Sequence, residues 1–260
     1  MNVWYSFLIA FAMYSRIPVP TVEWTEERMR YVMCFFPFIG LAEGALLWAW
    51  LLASKALGFG FEAAGLIGAA VPLAVTGGIH MDGFLDTMDA LGSYGSREKK
   101  LEIMKDPHTG AFAVISCAGY LLCYGGILGE LARTAALNCQ TGIVLAAVFF
   151  LERAFSGLSV AVFPCAKNTG LAAAFSDGAC RRSVRRILIL WLVCGAAALW
   201  VSGGMAGVLA AGGQAVLFVW YYQMAKKKFG GITGDVAGFF LQVCEIASLL
   251  ILVIGMKVTG

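Results

Sequence analysis

Residues 31–53 read YVMCFFPFIGLAEGALLWAWLLA, with Glu43 as the only charged side chain in the run. A stretch this apolar has membrane length, because about 20 residues of helix cross a hydrocarbon core roughly 30 Å thick. Stretches of the same kind lie near 63–79, 111–129, 141–163, 187–203, 205–222 and 236–256, and residues 3–14 add a shorter one that spans or re-enters. Lipid-exposed backbone must satisfy its own hydrogen bonds, and the alternating pattern of a membrane barrel is absent, so the stretches are helices. The sequence predicts an all-α, polytopic integral membrane helical bundle with about seven or eight transmembrane helices. No fixed-period repeat and no linker divides residues 1–260, which read as a single integral-membrane domain.

Composition agrees. Sixty per cent of the chain is hydrophobic and 13% is charged, against roughly 25% charged in soluble domains. A water-soluble fold, a disordered chain and a nucleic-acid-binding tail are excluded, and the surrounding partner is membrane lipid. Cys34, Cys117, Cys123, Cys194 and Cys244 sit inside apolar runs without metal-site spacing, and they read as small buried hydrophobes. The apolar N-terminus lacks a basic leader and a small-residue cleavage site, so no cleaved signal peptide is expected.

Of the 19 Lys and Arg residues, 15 fall in four segments: 15–30, 81–110, 164–186 and 226–234. An even number of expected spans separates each from the next, so all four share one side, the cytoplasmic side by the positive-inside rule. The protein is therefore expected in the cytoplasmic (inner) membrane.

In so apolar a chain the informative residues are the ionisable ones at or inside the spans. In GGIHMDGFLDTMDA (77–90), Asp82, Asp86 and Asp89 recur at helical spacing. At about 100° per residue they cover roughly 60° of one helix face. Carboxylates converging in this way repel one another unless a cation neutralises them, and Mg²⁺ at a phosphate-handling site is the commonest case. His80 and His108 each lie within two residues of an aspartate and suit a proton carrier or a supporting group. Run LEIMKDPHTGAFAV (101–114) brings Lys105, Asp106 and His108 to the start of the next helix, whose free N-terminus would favour an anion. FGGITGDVAG (229–238) is a glycine-rich loop with Asp235 at the entry to the last span. Glu245 lies about 15 Å deeper at 1.5 Å per residue, where it pairs with a neighbouring helix or lines the cavity. Glu43 is either functional or a protonated, hydrogen-bonded group. Glu130, Arg133, Glu152 and Arg153 read as span-border residues that snorkel.

Several runs together carry a resemblance. SRIPVP (15–20), FPFIGLAEGAL (36–46), GGIHMDGFLDTMD (77–89), EIMKDPHTGAF (102–112) and GGITGD (230–235) occur in order along almost the whole chain. In this the chain resembles the cobalamin synthase family, the adenosylcobinamide-GDP ribazoletransferases. Ala90 stands where that family usually has glycine, Pro107 where it has serine, and Lys167, in Pro164-Cys165-Ala166-Lys167, where it has arginine.

The resemblance implies that adenosylcobinamide-GDP and α-ribazole or its 5′-phosphate are joined with release of GMP, in the last stage of corrinoid assembly, with Mg²⁺ as cofactor. It fits the carboxylates to metal binding at Asp82, Asp86 and Asp89. Asp106 and Asp235 stand as further ligands, and one of them has room for a second ion. Asp89, Asp106 and His80 are alternatives for the base. Lys105, His108, Lys167, Gly230, Gly231 and Gly234 are the groups expected to hold phosphate. A homo-oligomer is compatible with all of this. The chemistry parallels that of the CDP-alcohol phosphotransferases, although their D-x-x-D-G-x-x-A-R run is absent. An ion-coupled transporter would place its key carboxylates at mid-membrane between repeated halves, whereas here the densest acidic cluster lies at the expected membrane edge.

Overall fold

The computed structural model describes residues 3–166 and 178–259. Its helices are α1 (Val3–Tyr14), α2 (Glu26–Met29), α3 (Val32–Ala56), α4 (Phe61–Gly68), α5 (Ala70–Thr76), α6 (Ile79–Gly92), α7 (Arg97–Ile103), α8 (Ala111–Thr134), α9 (Cys139–Val162), α10 (Gly178–Phe229) and α11 (Gly234–Thr259). No strand occurs among the described residues, which bears out the all-α membrane bundle. Helix α9 lies at the centre, packed against α3, α10 and α11. Cys34, Cys117, Cys123, Cys139, Cys165, Cys194 and Cys244 are free.

Five helices are long and apolar enough to cross a membrane, or six if α4–α5 and α6 count as one bent span. This is fewer than the seven or eight expected, and local geometry explains the difference. The expected spans 187–203 and 205–222 are the two arms of α10, which breaks at Gly204, where φ is 53° and ψ −138°. A straight helix of the 52 residues in α10 would measure roughly 78 Å, more than twice a hydrocarbon core. The arms instead fold back on each other, so that a Cβ on Gly207 would strike the Leu199 carbonyl. Contacts with α9 give their directions. Arg181 donates to the Ala161 carbonyl and Gln140 to Ser202, so the first arm runs antiparallel to α9. Gln214 donates to the Val148 carbonyl at 3.1 Å and Tyr221 approaches Ser159, so the second arm runs parallel to it. The expected span at 63–79 is likewise only half an element. Its helices end at Gly77 and Gly78, whose φ values of 68° and 80° suit glycine, and α6 departs at 101° to the axis of α4–α5. Residues 3–14 form a 12-residue helix, short of a full crossing.

The four basic segments meet at one end of the bundle. Arg97 Nε donates to the Lys227 carbonyl at 3.0 Å, Ile232 N to Pro164 O at 2.9 Å and Arg16 N to Val75 O at 2.7 Å. Arg30 and Arg181 line one cleft. The charge pattern thus placed these segments correctly on a common side.

Glu152 and Arg153 do not snorkel. Both are fully buried at mid-helix, where Arg153 pairs with Glu152 and with Glu43 of α3, each at 2.5 Å, and with Glu245 of α11 at 3.5 Å. Tyr120 of α8 donates to Glu245 at 3.2 Å. Four helices are therefore tied through one guanidinium, and Glu245 pairs across helices as one of its two readings held. Glu130 and Arg133 behave as the sequence suggested, forming a half-exposed pair at 2.7 Å that Lys257 joins.

Candidate active site

Helix α6 and the start of α11 cross at very close range, because glycines face each other's backbone there. A Cβ on Gly83 would lie 2.7 Å from the Asp235 carbonyl oxygen, and one on Gly238 would lie 2.9 Å from the His80 carbonyl oxygen. The stacked rings of Phe84 and Phe239, 5.7 Å apart, fix the crossing from the side. Thr233 accepts from Val236 N at 3.2 Å and so caps α11, leaving Asp235 in its first turn. Asp82 occupies the corresponding first turn of α6. The crossing therefore brings together two aspartates that lie 153 positions apart in the sequence.

Asp82 and Asp235 both line a cavity of about 170 Å³, together with Tyr14, Phe36, His80 and Ser156. His80 is only 5% exposed, and neither of its ring nitrogens has a hydrogen-bond partner. It is a buried polar group without a protein partner, facing a space that a ligand could fill. Asp86 lies one turn beyond Asp82, close enough to Asp82, Asp235 and Asp89 to feel their charge. Among the described residues no three such side chains are gathered tightly enough to enclose a metal ion by themselves. The donor set nevertheless suits Mg²⁺, which is commonly held by one or two carboxylates and completes its shell with water and substrate phosphate.

Of the other site residues read from the sequence, only Gly234 lines this cavity among the described residues. Asp89 is engaged elsewhere. Its carboxylate accepts from Gly110 N at 2.5 Å and from Ala113 N at 3.0 Å, capping α8. The helix start expected to attract a phosphate is thus occupied by a side chain of the protein itself. Lys105, Asp106 and His108 are exposed on the loop before α8. There Asp106 accepts from the backbone and ring of His108, the latter at 2.7 Å, and these bonds hold its carboxyl below the usual carboxylate range. Of the loop glycines, Gly234 lines the cavity. Gly231 N is spent on the Ala225 carbonyl, and Gly230 supplies a turn with φ 81°. Lys167 lies outside the described residues.

Among the cavity residues that the sequence reading did not name as site residues are Tyr14, Phe36 and Ser156. Each comes from a separate part of the chain, and none is a charged group of the kind that marks a site in so apolar a sequence. Arg16, read only as a topology charge, lays its side chain over Gly77, immediately before α6.

Comparison with known proteins agrees with this arrangement. A family model described as cobalamin-5-phosphate synthase matches residues 6–253. An adenosylcobinamide-GDP ribazoletransferase of Lachnoclostridium phytofermentans is 40% identical over 249 residues, covering 96% of this chain and 93% of the relative. Proteins of the same name from Brevibacillus brevis and Pseudomonas fluorescens are 33% and 36% identical, over 95% and 94% of this chain and 97% of each relative. No solved structure matches. With agreement over nearly the full length of chain and relatives alike, the protein belongs to the cobalamin-5-phosphate synthase family, whose curated members are named as transferases.

Proposed function

We propose that this chain transfers the adenosylcobinamide-phosphate group of adenosylcobinamide-GDP to a ribose hydroxyl of α-ribazole or α-ribazole 5′-phosphate, releasing GMP, at the cytoplasmic face of the inner membrane. The observation that carries the proposal is the cavity in which Asp82, Asp235 and the unpartnered His80 face one another, in a chain that matches named ribazoletransferases along its length.

The incoming hydroxyl oxygen forms a bond to the corrinoid-side phosphorus of the diphosphate, and the bond from that phosphorus to the oxygen bridging to GMP breaks. Asp82, Asp86 and Asp235 would hold Mg²⁺, which when bound neutralises charge on the phosphoryl oxygens. His80 accepts the hydroxyl's hydrogen bond and takes up its proton. Of the other two candidate bases, Asp89 caps α8 and Asp106 is exposed on the loop before it, and this favours His80 for the role. The aromatic walls of Phe36, which is buried, and Tyr14, which is partly buried, limit the access of water to the acceptor.

The direct test is GMP release by detergent-purified protein. Release is expected to require both substrates, to stop with EDTA and to return with added Mg²⁺. Release without the acceptor would identify a hydrolase and overturn the proposal.

His80→Gln, assayed under the same conditions, is expected to lower kcat by about 10²- to 10⁴-fold, the usual worth of general base catalysis. Its thermal midpoint should stay near that of the unmodified protein, because His80 makes no hydrogen bond that the substitution would break. A wild-type rate in this variant would remove His80 from the chemistry.

A further inference from the structure

The cavity at Asp82 adjoins a second space. Met33 and Val160, which line it, also line a narrow cleft with Arg30, Arg181 and Val184. Ala161 and Arg181 in turn belong to a second pocket of about 320 Å³, whose remaining walls are Val162, Arg182 and Arg185. The three spaces follow one another along the last two turns of α9. From Ser156, in the carboxylate cavity, to Val162, in the arginine pocket, the helix rises about 9 Å, within the reach of one nucleoside phosphate.

The chemistry of the two ends is opposite. No carboxylate lines the cleft or the arginine pocket, and among the described residues Arg181, Arg182 and Arg185 form no salt bridge. Arg181 is tethered to the Ala161 carbonyl, which leaves part of its guanidinium for another partner. These arginines also stand in the first two turns of α10, where there is no acidic residue. Cations at the positive end of a helix are unfavourable unless an anion offsets them. Guanidinium groups gathered with no carboxylate beside them among the described residues suit a phosphate, which they bind in a planar, bidentate manner.

We propose that Arg182 and Arg185, with Arg181 beside them, form a subsite for the 5′-phosphate of the acceptor nucleotide. The proposal rests on the transferase function above. In that reaction the donor's two phosphates are both at the reacting diphosphate, beside Asp82. The acceptor's 5′-phosphate is the one phosphate that stands apart from it, as this pocket does from the carboxylate cavity. The arginines are positioning and specificity residues, and they set the preference for α-ribazole 5′-phosphate over α-ribazole.

The test compares the two acceptors on wild-type protein and on Arg182→Ala/Arg185→Ala. Both residues are exposed, so the double variant is expected to fold. In wild type, KM for the phosphorylated acceptor should be at least about tenfold below that for α-ribazole, the effect of one good charge-assisted contact. In the variant the two values should converge to within about threefold, through a rise for the phosphorylated acceptor alone, with kcat retained. Arg182→Lys/Arg185→Lys should restore part of the preference. Equal changes for both acceptors, or none, would overturn the proposal.

Equilibrium binding of each acceptor in detergent, without donor, separates this result from the larger one. A phosphate preference that the alanine variant loses supports the subsite even if no GMP is released. Anionic lipid headgroups share the phosphate chemistry, so the assays are repeated in nanodiscs of zwitterionic lipid and of mixed anionic lipid. An effect of the substitutions confined to anionic lipid, with acceptor preference unchanged, would assign the pocket to headgroups and overturn the proposal.

Discussion

Asp82→Asn is expected to reduce GMP release by about 10³-fold or more, equivalent to roughly 4 kcal/mol of lost transition-state stabilisation. The amide keeps the shape of the side chain and removes the negative charge, so the substitution isolates the electrostatic part of its role. Asp82 stands on the first turn of α6, exposed at the cavity mouth, and faces the same space as Asp235. Among the described residues its side chain forms no salt bridge. Asp86, a second carboxylate, senses its charge, and like charges in proximity are destabilising. The variant should therefore melt at or above the wild-type temperature while losing its reaction. That split distinguishes a functional carboxylate from a structural one. Wild-type turnover by a folded Asp82→Asn protein would sink the assignment of the site. Loss of fold together with activity would show that the carboxylate had been holding the crossing of α6 and α11.

The helical pattern of the chain was legible because bilayer length and basic-residue placement are properties of continuous sequence. The boundary between the expected spans 187–203 and 205–222 fell at the residue where α10 breaks, since Gly204 adopts a conformation open to glycine and strained for other residues. Half of the acidic site was legible in the same way. Periodicity put Asp82, Asp86 and Asp89 on one face of α6, and they do lie on one helix. What it could not supply was the identity of the elements that face them. The start of α11 comes to Asp82, whereas the start of α8 comes to Asp89, and the second meeting converts an expected metal ligand into a helix cap. The cavity residues Tyr14 and Ser156 come from α1 and α9, and no local pattern relates either to an aspartate on α6. Arg153 was misread for a related reason. A charged pair near others in the sequence looks like a span border, and only the packing of α3, α9 and α11 reveals the three carboxylates around Arg153, with Tyr120 of α8 bonded to one of them.

Arg153→Met is the substitution expected to cost the most stability. Its guanidinium is the single cation among Glu43, Glu152 and Glu245, and all four side chains are buried. The network is already stretched, since Glu43 Oε1, Glu152 Oε2 and Arg153 Nε have no hydrogen-bond partner. Removing the cation leaves three carboxyl groups facing one another without water. Breaking a buried pair by deleting one partner costs about 3–5 kcal/mol, and for a chain of this size that corresponds to a fall of roughly 10–15 °C in the thermal midpoint. Methionine fills much of the same volume, so the loss is one of charge rather than of packing. The expected result is poor accumulation in the membrane and early melting in detergent, with no selective effect on either substrate. Charge balance supplies the control. Combining Arg153→Met with Glu43→Gln, Glu152→Gln and Glu245→Gln removes the unpaired carboxyls along with the cation and should recover most of the lost stability, because a buried ionic cluster contributes little over a neutral one of similar shape. A single variant that melts with wild type would mean that the cluster does not hold the four helices together. A neutralised variant that folds but no longer releases GMP would mean that these buried charges serve the reaction as well as the fold.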